Sequence, residues 1–213
     1  MKRIASGAIG VVAILLTAGV AGAGEQYSLD FHQVVNTFMC SAVDESTIDC
    51  ENINPNGPVA GVANAVFVIL GGAQNGAGAV QFGIDYISTG ETQLWNWTVC
   101  NNYQEIGLIG PNGGWPSSGS GNAVAFGGCV NPAGPDGMIA IGYLFTSATV
   151  TSGNQSFAPD PIDGDMVVTD CDAITWDINF SGVLEFAGAG GTKGCDGLVP
   201  IQETSWGEIK SIF

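Results

Sequence analysis

Aspartate is concentrated in one short stretch of the chain, residues 160–172, which holds five aspartates and one cysteine. Calcium is bound by several oxygen ligands that converge on one point. Two sets of side chains offer such oxygens: Asp160, Asp163 and Asp165, or Asp170 and Asp172. The spacing does not fit an EF-hand loop, in which acids alternate before a glycine and a distant glutamate. The stretch therefore predicts either a loose calcium site or an acidic turn before a strand, and calcium is the one cofactor it suggests.

Common catalytic chemistries find little support in the residue types. His32 is the only histidine, there is no G-x-S-x-G sequence and no P-loop, and the chain has four lysines and arginines in all. Serine-histidine-aspartate catalysis and phosphoryl transfer are therefore not expected. Twenty acids leave glycoside hydrolysis by paired carboxylates open, but no pair stands out. We name no catalytic residue and expect a non-enzyme rather than an enzyme.

Trp115 is the candidate ligand-binding residue. It lies in the sequence GGWPSS, whose glycines and proline are typical of a turn. An exposed indole face at such a turn can stack on a sugar ring, with nearby acids or amides taking the hydroxyl groups. The alternative interpretation is that Trp115 packs into the core as other large aromatics do.

The cysteines predict a covalent framework. An even number of cysteines in an exported chain indicates disulfides, and the six are Cys40, Cys50, Cys100, Cys129, Cys171 and Cys195. Six cysteines allow fifteen pairings. Pairing of sequence neighbours is the simplest expectation, which joins Cys40 to Cys50, Cys100 to Cys129 and Cys171 to Cys195. Without a CxxC or a Cys/His cluster, a zinc site of the usual ligand types is not expected.

The first 23 residues have the three parts of a secretory signal peptide. Lys2 and Arg3 are the positive region, residues 8–20 are apolar, and Ala21-Gly22-Ala23 supplies the small residues of a cleavage site. The apolar run is shorter than the ~20 residues that usually span a bilayer. We expect a secreted protein, extracellular or periplasmic, whose mature chain begins at residue 24.

The charge balance limits the classes of partner. The formal net charge is −16, and beyond residue 23 only Lys193 and Lys210 oppose the twenty acids. Phosphate binding needs Lys and Arg, so nucleic acid and anionic membrane surfaces are not expected partners. Such a surface suits cations, a neutral polymer or simple solubility.

Alternation of apolar and polar residues predicts β-strands along most of the chain. The expected strands lie at 27–32, 65–70, 80–87, 94–99, 105–109, 123–126, 138–146, 166–169, 174–181 and 183–186. Glycine, proline and asparagine clusters separate them at intervals typical of an antiparallel sandwich. We therefore predict an all-β fold, a single antiparallel β-sandwich, jelly-roll or Ig-like, over residues 24–203. Residues 204–213 are expected to form a short C-terminal helix or docking segment, because Ser205 and Glu208 have capping-box spacing.

Residues 64–90, NAVFVILGGAQNGAGAVQFGIDYISTG, resemble the opening strands of cohesin-like and related carbohydrate-binding sandwiches. In those, a buried strand and a short loop lead to a Gly-x-Φ-x-F-x-Φ-x-Y strand, matched here by Gly78, Val80, Phe82, Ile84 and Tyr86. The resemblance implies an extracellular recognition sandwich with jelly-roll-like topology, and it carries over no binding residues. Such modules commonly have few cysteines, unlike this chain. The sequence GWPSSGSGNAVAF and the tail TSWGEIK also resemble exported bacterial proteins.

Three functions follow as hypotheses. The leading one is an exported, non-catalytic sandwich for recognition or for a surface or matrix role, which binds a glycan or an extracellular protein. The second is a secreted polysaccharide hydrolase with paired carboxylates. The third is a structural subunit that assembles with its own copies through exposed strand edges.

Overall fold

The computed structural model describes residues 25–35, 37–57, 64–90, 93–147, 150–158, 160–186, 188 and 190–198. The predicted signal peptide (1–23) and C-terminal segment (204–213) lie outside these residues, so both stay predictions. In the described ranges, no helix has the length and apolar character needed to span a membrane.

The described residues form eleven β-strands and two short 3-10 turns, which confirms the all-β prediction. The strands are β1 (Tyr27–Val35), β2 (Asn64–Gly71), β3 (Ala77–Gly90), β4 (Gln93–Val99), β5 (Gln104–Leu108), β6 (Ser120–Val130), β7 (Ile139–Ser147), β8 (Val150–Ala158), β9 (Val167–Thr169), β10 (Thr175–Ser181) and β11 (Val183–Phe186). The 3-10 turns are Cys40–Ala42 and Cys195–Gly197.

The strands divide into two sheets. The first sheet has the order β1-β2-β7-β4. In the second sheet, β6 lies between β5 and one edge of β3, while β9 and then β8 share the other edge of β3. Beyond them, β10 pairs with β9 and β11 pairs with β8.

One strand pair departs from the predicted antiparallel arrangement. β10 first pairs with β9 in antiparallel register through Thr175–Asp177 and then runs parallel to the start of β1. This strand thus passes from one sheet to the other and covers the edge of β1, which would otherwise leave backbone donors and acceptors unpaired. The other named strand pairs are antiparallel. The first sheet, with β10 at the edge of β1, is therefore mixed.

The apolar core lies between the two sheets. β2 lies between β1 and β7 and is buried along its whole length. Phe31 of β1 stacks on Phe157 of β8 with ring centroids 4.0 Å apart, which joins the first sheet to the second. Phe82 of β3 meets Phe157 edge-on. Aromatic contacts of this kind add ~1 kcal/mol to the apolar area they bury.

Three disulfides link segments that lie far apart in the sequence, and the predicted pairing of sequence neighbours is wrong. The bonds are Cys40–Cys100, Cys50–Cys195 and Cys129–Cys171. The reason is topological. The sandwich brings distant segments together, so the paired Cα atoms lie 5.0–5.8 Å apart although 42 to 145 residues separate them in sequence.

Candidate functional site

A shallow trough crosses the outer face of the second sheet and has a volume of about 280 Å³. Strands β5, β6, β3 and β9 supply its lining. Period-two alternation puts Val80, Val124 and Val168 in the core and the residues next to them on the outer face. The outward side chains that line the trough are Ala79, Gln81, Gln104, Ile106, Ala123, Ala125, Val167 and Thr169.

The strand register explains why this face is concave. One row across the sheet is Gln104, Ala125, Ala79 and Thr169, and the next is Ile106, Ala123, Gln81 and Val167. The two central strands thus present three alanines and a glutamine, whereas larger side chains stand on both sides. The floor is low because alanine stops at Cβ. On the wall, 68% of Ile106 is exposed to solvent.

A turn at one end of the trough contains the predicted calcium ligands. Asp160 is buried, and its Oδ1 accepts the backbone N–H of Ile162 at 2.7 Å and of Asp163 at 3.1 Å. Its Oδ2 accepts a hydrogen bond from the side chain of Gln81, whose Nε2 also lies 3.3 Å from Oδ2 of Asp163. Asp160 therefore holds the turn against the trough floor.

Desolvation raises the pKa of Asp160, but the donated hydrogen bonds from Gln81, Ile162 and Asp163 outweigh it, so the pKa lies below its usual value. Asp163 and Asp165 are exposed. The structure thus gives the acidic-turn interpretation a geometry, and calcium binding at Asp160, Asp163 and Asp165 stays a prediction.

The second set of acids also caps a turn. Oδ1 of Asp170 accepts the backbone N–H groups of Asp172 and Ile174, and Oδ2 accepts Nε1–H of Trp176 at 2.7 Å. Within the described ranges, three potential metal-ligating atoms come within 4.8 Å of one another at Cys50, Cys195 and Asp196 alone. The two sulfur atoms there form a disulfide and are not thiolate ligands.

Trp115, the predicted ligand-binding residue, is half-buried behind β5 and β6. Its ring meets Phe82 and Trp97 edge-on at centroid distances of 5.5 and 5.3 Å. A Cβ at Gly107 would lie 3.1 Å from Cβ of Trp115, so β5 passes close over it. The structure places Trp115 on the core side of the second sheet, opposite the trough, and ligand binding by it stays a prediction.

Glu105 lies beside Trp97 and has hydrogen-bond donors within the protein. Its Oε2 accepts the indole N–H of Trp97 and, at 3.1 Å, a hydrogen bond from Nδ2 of Asn122. Trp97 and Trp115 both pack against the core. This carboxylate therefore ties the strands β4, β5 and β6 together at the end of the sandwich.

His32 is half-buried and Asp30 is buried, and both have hydrogen-bond partners in the protein. Nδ1 of His32 accepts the backbone N–H of Asn54 at 3.1 Å, and burial lowers the histidine pKa. Oδ1 of Asp30 accepts Gly194 N–H at 2.6 Å, and Oδ2 accepts Cys195 N–H at 3.1 Å. These bonds hold irregular segments against β1.

A second hollow of about 430 Å³ lies along β10. It is lined by Glu25, Gln26, Trp176, Asp177, Asn179 and Phe180. Its lining thus combines two aromatic residues with carboxylate and amide groups. The sequence analysis did not select this hollow.

The comparisons with known proteins give a likeness of fold. Neither a family model nor a curated protein matches the chain. The sixth cohesin of scaffoldin B from Acetivibrio cellulolyticus, solved in complex with a Cel5 dockerin, is similar with a TM-score of 0.43 at 13% identity. The aligned part covers 76% of this chain and 96% of that one.

Two further solved structures are similar. The CaDoc0917–CaCohA2 complex gives a TM-score of 0.42 at 15% identity, with 76% of this chain and 98% of that one covered. A type II cohesin domain from the cellulosome of Acetivibrio cellulolyticus gives 0.39 at 9%, with 75% and 95% covered. The first and third of these structures are cohesin domains, the class that residues 64–90 resemble.

The trough was missed by sequence reasoning, although a signal for it is present. Outward positions of half-buried strands are normally polar, but Ala79, Ala123 and Ala125 occupy three of them here. Their convergence depends on the pairing of β3 with β6, which no local pattern gives. The alanines alone predict small outward residues, and the register makes them one surface.

Proposed function

We propose that the chain is an exported, non-catalytic recognition protein that binds a protein partner through the trough on the second sheet. The observation that carries this proposal is the alanine floor beside the exposed Ile106 wall on an open sheet face. Exposed apolar patches on soluble proteins often mark interaction sites, and interface cores are depleted of charged residues.

The dimensions of the face favour a protein over a small molecule. Drug-sized ligands usually occupy enclosed pockets of ~300–1,000 Å³, whereas this trough is shallow and open. Five strands from β5 to β10 span about 19 Å at ~4.8 Å per spacing, and five residues along a strand span ~17 Å. Their product is roughly 300 Å², so a standard interface of ~800 Å² per partner must extend onto the flanking loops.

The proposed location is outside the cytoplasm. Three disulfides are typical of proteins in oxidising compartments. This agrees with the predicted signal peptide, and N-terminal sequencing of the exported protein tests both, since we expect the mature chain to begin at residue 24.

The test of partner binding is selection from a displayed library of peptides, with the full chain as bait. We expect binders whose affinity falls at least about tenfold in Ala123→Trp, because an indole at Ala123 fills the trough. Asn154→Trp is the matched control, since Asn154 is exposed on β8 and does not line the trough. If no binder distinguishes Ala123→Trp from the control, the trough is not a docking site.

A glycan is the second candidate ligand, and the hollow along β10 favours it. Trp176 and Phe180 are half-buried there, with Asp177 and Asn179 exposed between them in sequence. A glycan array measured with and without calcium tests this candidate. Binding that Trp176→Ala removes and Ala123→Trp leaves unchanged would assign glycan recognition to this hollow.

A further inference from the structure

We infer that the segment that docks in the trough is cationic, with apolar side chains on the floor and lysines or arginines around them. This inference rests on the proposed function of the trough and adds the chemical class of the partner. It is carried by the charge of the loops and strands that border the trough, together with the small area of the apolar floor.

Exposed carboxylates border the trough in the turn before β9, in the turn after β9 and on β10. Asp163 lies in the turn at one end, close to Gln81 of the lining. Asp165 is two residues before Val167 of the lining. Asp177 lies directly across from Val167 in the β9–β10 register, so the two side chains share the outer face. Asp172 lies in the turn that follows Thr169.

No described cation neutralises these carboxylates. In the part of the chain that the structure describes, Lys193 is the one lysine or arginine. Its Nζ donates to the backbone carbonyl oxygens of Cys50 at 2.7 Å and Glu51 at 2.9 Å. Among the described residues, the negative charge on the border of the trough therefore has no cation beside it.

The acidic border lies within the area that a partner must cover. The face from β5 to β10 supplies roughly 300 Å², well below the ~800 Å² of a standard interface, so a partner must also cover the acidic turns. An acidic partner would place like charges against them, which costs several kcal/mol. A second copy of this chain, with net charge −16, would meet the same repulsion between like charges. A basic segment is attracted over about one Debye length and pairs with the border on docking.

The test uses the displayed peptide library and asks which charges the trough-dependent binders carry. We expect those that Ala123→Trp removes to be enriched in Lys and Arg relative to the unselected library. One enriched peptide is then synthesised, and its affinity is measured at low and high salt against two double variants of equal net charge. The trough variant is Asp163→Asn with Asp177→Asn, and the control is Glu51→Gln with Asp196→Asn.

We expect the trough variant to lose affinity by about tenfold at low salt and the control to change little, with the difference shrinking at high salt. Trough-dependent binders without basic enrichment, or equal effects of the two double variants, would overturn the cationic partner while the proposed function stands. Failure to obtain any trough-dependent binder would overturn both.

Discussion

Asp30 is the buried carboxylate whose protonation should control stability most clearly. Burial raises its pKa above 3.8, although hydrogen bonds from Ser28, Gly194 and Cys195 act in the opposite direction. A raised folded-state pKa means that the native state takes up a proton more readily than the unfolded chain. The contribution of Asp30 to stability is therefore greatest below pH 3.8 and falls as the pH rises through the folded-state pKa.

Asp30→Asn should consequently gain stability relative to the wild type as the pH rises. Asparagine keeps one carbonyl oxygen to accept the backbone N–H groups and cannot ionise. We expect the difference in unfolding free energy to grow above pH 3.8 and then level off, as measured by urea denaturation across pH. Asp172→Asn, at an exposed position that does not act on the pKa of Asp30, is the control, and a difference for Asp30→Asn that does not vary with pH would contradict the assignment.

Asp160 should behave in the opposite way. Its hydrogen-bonded carboxylate has a lowered pKa, so its stabilisation is complete above pH 3.8 and is lost as the pH falls through the folded-state value. We expect Asp160→Ala to lower the unfolding free energy by about 1–3 kcal/mol at neutral pH, since it leaves the part-buried donors of Gln81, Ile162 and Asp163 unpaired. The deficit should shrink in acid.

The same melts decide the calcium prediction. The cap at Asp160 uses donors of the protein itself, so Asp160→Ala should be destabilised in EDTA as well. A rise in melting temperature with calcium that Asp163→Asn and Asp165→Asn remove would establish metal binding at the turn. Unchanged melts in calcium and in EDTA would leave the acidic turn as the whole explanation.

Trp115 should act chiefly through packing. Its ring contacts Phe82 and Trp97, and its Nε1 is buried with no hydrogen-bond partner among the described residues. Trp115→Ala should cost about 3 kcal/mol of unfolding free energy. Trp115→Phe should cost less, because it keeps an aromatic ring and removes no hydrogen bond. Equal destabilisation by the two variants in denaturant titrations would contradict this packing.

At the scale of the element, each disulfide closes a loop of different length. Cross-linking lowers the entropy of the unfolded chain more when the loop is longer. In the chain-entropy estimate this stabilises the folded state by about 5 kcal/mol for Cys50–Cys195 and about 4 kcal/mol for Cys129–Cys171. We expect replacement of both cysteines by serine to destabilise most at Cys50–Cys195. Non-reducing peptide mapping checks the pairs first, and a Cys40–Cys50 peptide would contradict the topology.

Ten of the eleven described strands were predicted from the sequence, and the exception, β8, has a physical cause. In β8, Gln155 and Phe157 are buried and Asn154 is exposed, so the alternation exists in burial. A buried glutamine hides it in hydropathy. The parallel pairing of β10 with β1 and the disulfide pairs were beyond sequence reasoning for a related reason, since both depend on contacts between segments far apart in the chain.

The candidate site was less predictable than the fold. Sequence reasoning selected residues of conspicuous chemistry, Trp115 and Asp160 among them, and both contact other side chains of the same chain. The trough consists of alanines whose side chains carry no chemical signal. Its function depends on shape and on the charge around it, which appear only when β3, β6 and β9 are placed side by side.

The whole molecule is a disulfide-linked sandwich that we propose presents one docking face, the trough on the second sheet. The most direct test is the amide hydrogen-exchange footprint of a selected binder on the full chain. We predict slower exchange in β5 and β6, in the part of β3 around Ala79 and Gln81, and in the turn at Asp160–Asp165. Protection confined to the hollow along β10 or to the first sheet, with the trough amides unchanged, would contradict it.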